Sequence, residues 1–82
     1  MLAIPTVHLN GTSPKELQEQ IRAAIDALHL AVEAMRNAAP HARDYYPQGD
    51  DVYNVAATQH YNRINKIEEV IQEYVDIYAE LD

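Results

Sequence analysis

Arg43, Tyr45, Tyr46 and Gln48 fall within one stretch of twelve residues, Pro40 to Asp51, which reads PHARDYYPQGDD. A guanidinium can fork onto a phosphate or a carboxylate. A tyrosine presents an apolar face on which a planar ligand can stack, together with a hydroxyl, and a glutamine amide both donates and accepts. Linking two helices takes only about 2 to 8 residues, so this stretch carries more chemistry than a connection requires. Two prolines and a glycine give it a shaped path, and Pro47-Gln48-Gly49 reads as a tight turn with glycine available for a positive φ. Tyr45 and Tyr46 point differently where the backbone is extended. One then packs on the helices as a plug and the other faces outward.

Further polar groups can converge on this loop. His60 interrupts an otherwise apolar helical seam and is followed by Asn62 and Arg63. It reads either as a core histidine bonded to a neighbour or as part of a pocket with Arg43, Tyr45, Tyr46, Gln48 and Arg63. His8 and Asn10 of a partner chain would join that pocket. The signatures of catalysis are missing: there is no GxSxG elbow, phosphate-binding glycine loop, HExxH or CxxC, and cysteine is absent altogether. The chain therefore reads as a binding protein rather than an enzyme, with no cofactor and no metal site. His29 and Glu33, four residues apart, read as a surface ion pair.

These groups need elements to position them. Residues 3–9 alternate, with Val7 and Leu9 on one side and Thr6 and His8 on the other, which predicts a short strand ended by Asn10-Gly11. No second strand follows, so its expected partner is the same segment of another subunit; an arm lying on its own helices is the competing reading. Ser13, Pro14 and Glu16 form a helix start, with Ser13 as N-cap and Glu16 closing a capping box. Leu17, Ile21, Ala24, Leu28, Ala31 and Met35 then define a helical stripe, widened by Ile25 and Val32, and Asn37 and Pro40 end it. Asp50 or Asp51 caps a second helix. Its seam runs through Ala57, His60, Ile64, Ile67, Ile71, Tyr74, Tyr78 and Leu81.

The expected fold is mainly α: a long helical hairpin with a short N-terminal β-strand, oligomeric through strand pairing and helix packing. The single domain divides into a strand or arm over 1–11, a first helix over 13–38, a loop over 39–50 and a second helix over 51–81. The second helix is the longer, so its far end is expected to outrun the first by one or two turns and to need cover from a second subunit.

Composition agrees with self-association. Eighty-two residues without cysteine form a core that, at below about 80 residues, supplies only roughly 3–5 kcal/mol unaided. No apolar run is long enough to span a membrane, and no signal peptide precedes the first helix. The formal charge of -7 disfavours general nucleic-acid binding, which needs a basic surface. Six acids and no base lie from Glu68 to Asp82, whereas Arg36, Arg43, Arg63 and Lys66, four of the six basic residues, gather around the loop. That distribution suits a small anion at the loop, and it equally suits a solvated acidic helix face.

The segments IPTVHLNGTSPKEL and APHARDYYPQGDD resemble a family of short proteins encoded in tailed phages and prophages. These combine an HLNGTS start, a capped helix, an RDYYPQG loop and a closing helix. The resemblance covers almost the whole chain and implies a cytoplasmic location in an infected bacterial host. Small oligomeric phage proteins of this kind include sponges that sequester nucleotide signals of host defence, of the cyclic ADP-ribose or cyclic dinucleotide type. By that analogy, Tyr45 or Tyr46 would stack on a base, Arg43 and Arg63 would meet phosphates, and His60, Gln48 and Asn10 would place hydrogen bonds. The alternatives are an interaction module that docks its acidic second helix on a host protein, and a passive structural oligomer.

Overall fold

The computed structural model describes residues 1–81. Two helices, α1 (Pro14–Asn37) and α2 (Val52–Glu80), run antiparallel and are joined by two single 3₁₀ turns, Ala42–Asp44 and Tyr46–Gln48. The Ser13 hydroxyl accepts from the Glu16 amide at 3.2 Å, and Pro14 occupies the first turn, where its missing N–H costs nothing. At the other end the Ala38 amide donates back to the Ala34 and Met35 carbonyls, both at 3.1 Å. Asp51 stands at the N-terminus of α2 in a helical conformation, and its side chain makes no capping hydrogen bond. The expected carboxylate cap is therefore absent, and Asp51 contributes only its charge near the helix dipole.

The core is the seam between the helices. Ile25 and Val32 of α1 meet Ile64 and Ile71 of α2, with Ile21, Leu28, Met35, Ile67 and Tyr74 packed around them. Ile25 and Val32 are thus the centre of the α1 stripe rather than its margin, and Ala31 is exposed. The molecule measures 62 × 24 × 16 Å, a single layer of two helices side by side, given helix diameters of about 10–12 Å. Among the described residues no side chain is completely buried.

The N-terminal strand is not formed. The described residues contain no strand, and residues 1–13 are exposed throughout. An extended segment becomes a strand only with a ladder partner, and this chain offers none, so alternation alone left Val7 and Leu9 in solvent. The Asn10-Gly11 turn does form: the Gly11 amide donates to the His8 carbonyl at 3.1 Å, and the His8 ring lies over the glycine, where a Cβ would meet its Nε2 at 2.7 Å.

The helix overhang also falls at the opposite end from that expected. His60 lies against Met35, and Tyr78 shares a cleft with Lys15, Gln18 and Arg22. The first turns of α2 therefore extend past the end of α1 and carry the loop, whose second 3₁₀ turn packs on them. The far end of α2 stays alongside α1, and Leu81 is buried.

Candidate functional site

The loop is built by local hydrogen bonds. Asp44 and Tyr45 amides donate to the His41 and Ala42 carbonyls, both at 3.0 Å, and Gln48 and Gly49 amides donate to Tyr45 and Tyr46 at 2.9 and 3.2 Å. Gly49 leaves the second turn at φ 122°, ψ 164°, a backbone region that in practice only glycine occupies. The two adjacent tyrosines take opposite roles. Tyr45 is half-buried, whereas Tyr46 is 73% exposed. Arg43, one turn earlier, is exposed and enters none of the ion pairs among the described residues, which are Lys15–Glu19, Arg22–Asp26 and Arg36–Glu68. Gln48, in the second turn, is also exposed.

His60 is held by the fold. Its Nε2 lies 2.6 Å from the Met35 carbonyl oxygen, and since a carbonyl can only accept, the proton sits on Nε2. The bond ties α2 to the last turn of α1, so the reading of His60 as a satisfied seam residue accounts for its place. The ring still lines a cleft of about 150 Å³ with Arg36, Ala39, Tyr61 and Ile64. Arg63 is exposed on the following turn.

His8 and Asn10 are not brought to the loop within one chain. His8 precedes the Ser13 cap by five residues, a reach of at most about 18 Å, while the 24 residues of α1 separate the loop end from the open end by about 36 Å. Within one chain the loop carries Arg43, Tyr46 and Gln48, whereas His60 lies further along α2 against the end of α1, in a cleft that none of these three lines, and Arg63 follows one turn beyond it. The expected His29–Glu33 ion pair is not among those of the described residues, and His29 is exposed; the neighbouring Asp26 pairs with Arg22 at 3.2 Å. Glu33 is likewise exposed.

Two residues that sequence reasoning left out of the site belong to its surroundings. Tyr61 is 62% exposed and, with Tyr46, is one of two strongly exposed tyrosines on the loop-end half, whereas Tyr45, Tyr53, Tyr74 and Tyr78 are half-buried. Arg36 donates to Glu68 Oε1 at 2.7 Å while lining the same cleft as His60 and Tyr61. The i+1 position of Tyr61 next to a seam residue was the available signal. The Arg36 contact spans 32 residues and had none. Among the described residues no three His, Asp or Glu side chains gather as a metal site, and no helix is long and apolar enough to cross a membrane. No family model, curated protein or solved structure matches the chain.

Proposed function

We propose that this protein is a non-catalytic, self-associating binding protein that takes up a small anionic ligand with a planar base at its loop end. The observation that carries the reading is the pairing of Tyr46, 73% exposed, with Arg43, which is exposed and enters no ion pair among the described residues. Leaving a large aromatic in water forgoes burial worth about 1.5–3 kcal/mol, and here it stands on a 3₁₀ turn three residues after an arginine that enters no ion pair among the described residues. Base stacking and a forked phosphate contact are what those two groups offer together. The family resemblance narrows the ligand to a nucleotide immune signal of the cyclic ADP-ribose or cyclic dinucleotide type, sequestered in the cytoplasm of an infected bacterium.

Isothermal titration against adenine nucleotides and cyclic dinucleotides tests this. Stacking contributes about 1–3 kcal/mol per base and a charged hydrogen bond about 1.5–3, so Arg43→Ala with Tyr46→Ala lowers affinity at least about 60-fold. Both side chains are exposed, so helicity stays unchanged. Unaltered affinity in the double variant, or no uptake of any member of the panel, refutes the reading.

A second reading rests on a different observation. Residues 12–29 and 67–81 hold eight acids and two bases, whereas residues 30–66 hold four of each. The open end is thus an acidic surface suited to a basic host protein, and neutralising Glu69, Glu73 and Asp76 would abolish that docking while loop changes would not.

A further inference from the structure

The hairpin has two unlike faces. One carries an interhelical groove in which His29, Glu33, Arg36, Glu68 and Gln72 surround the buried Val32 and Ile71. At 100° per residue, the opposite side of α1 presents Ala24, Ala27, Ala31, Ala34 and Ala38, spaced three and four apart. On the same side α2 presents Ile67, Val70, Tyr74 and Ile77. These are half-buried apart from Val70, which is 38% exposed. This apolar face adjoins the seam that the hairpin fills and shares Ile67 and Tyr74 with it.

We infer that this alanine-lined face packs on the same face of a second copy in an antiparallel two-fold dimer. Surface area identifies the need for a partner. The chain exposes 6309 Å², whereas a compact monomer of 9.3 kDa exposes about 5,000 Å². The arm and the flat hairpin share an excess of about 1,300 Å², which lies within the roughly 1,000–2,500 Å² that each subunit buries in an obligate dimer. Small side chains on α1 allow the close helix approach that a four-helix layer requires.

Charge sets the direction. A parallel pair would place two acidic open ends together. Antiparallel pairing sets each of them beside the loop-side half of α2 that holds Arg63 and Lys66. The two-fold axis then passes near Ala31 and Val70, which lie at the middle of the hairpin body. The arm of each copy reaches the loop of the other, so the partner's His8 and Asn10 approach Arg43 and Tyr46. The pairing stands without the ligand reading. This completion of the loop site rests on it.

Sedimentation equilibrium of the full chain at micromolar concentration, without ligand, tests the face. The expected mass is twice 9.3 kDa, falling to the monomer value in Ala31→Glu and staying dimeric in Leu30→Glu, which changes the outward face of α1. Because Ala31→Glu can also unfold the chain, direction and face are read separately by disulfide formation in single-cysteine variants of this cysteine-free sequence. Antiparallel pairing links Ala31→Cys chains and leaves Ala38→Cys chains unlinked. Linking of both overturns the charge argument, and a monomeric wild type overturns the pairing. A dimer that binds no nucleotide leaves the pairing standing and refutes the ligand reading alone.

Discussion

Replacing His60 separates its structural role from any role toward a ligand. Its Nε2–H bond to the Met35 carbonyl, at 2.6 Å, joins residues 25 apart in sequence, and a neutral hydrogen bond of this kind contributes about 1 kcal/mol net. The half-buried ring adds roughly another 1 kcal/mol of apolar burial, and alanine returns about 0.5 kcal/mol as the better helix former. Met35 keeps the Ala38 amide as a partner at 3.1 Å, so its carbonyl is not left unsatisfied and no further penalty arises. His60→Ala therefore destabilises by about 1.5 kcal/mol, a fall in Tm of about 6–12 °C for a domain of this size. His60→Gln retains a donor of similar reach and recovers about half of that loss. Thermal unfolding is followed by circular dichroism at one fixed chain concentration, because the proposed self-association would make Tm depend on concentration. An alanine variant that melts within about 2 °C of wild type, or a glutamine variant that recovers nothing, refutes the assignment.

Two further outcomes test the loop and the helix register. At Gly49, φ 122° with nothing within 4 Å of a built Cβ makes Gly49→Ala a backbone perturbation alone, costing about 1–3 kcal/mol in denaturant unfolding. D-alanine at the same position, introduced by chemical synthesis, restores stability, and equal loss from both enantiomers contradicts the strain argument. Arg36 and Glu68 are about half exposed, so a double-mutant cycle gives a coupling of about 0.2–1 kcal/mol that shrinks in salt; a coupling above about 2 kcal/mol contradicts that screening.

The sequence made the helices legible because their ends and seams obey local chemistry. Ser13, Pro14 and Gly49 act where their types require, and the α2 seam from Ala57 to Leu81 is half-buried or buried at each position read from spacing. It misled wherever one pattern fits two structures. Period-two alternation over residues 3–9 describes a strand and an exposed arm equally, and only a partner distinguishes them. A broad apolar stripe on α1 allowed two centres, and α2 took the one through Ile25 and Val32. Helix lengths gave the surplus of α2 but not its end, because the loop's 3₁₀ turns decide how early α2 begins. Within the candidate site, the division between Tyr45 and Tyr46 followed from their adjacency, whereas the Arg36–Glu68 bridge depends on register between helices.

The ligand and pairing proposals draw on the same few bases, and the geometry separates them. Arg63 and Lys66 lie on α2 about 9 and 5 Å from the middle of the hairpin body at 1.5 Å per residue, inside the length over which two antiparallel copies overlap. There they answer the acids of a second copy. Arg43 lies in the first 3₁₀ turn of the loop, beyond the end of α1, beside the most exposed tyrosine of the chain. A charge at that tip is screened from the partner's helices over a Debye length of about 8 Å and is placed to meet what approaches from solvent. The arginine with no ion pair at the loop tip is thus the one available to an anion, and the bases on α2 are those that fix how two hairpins align.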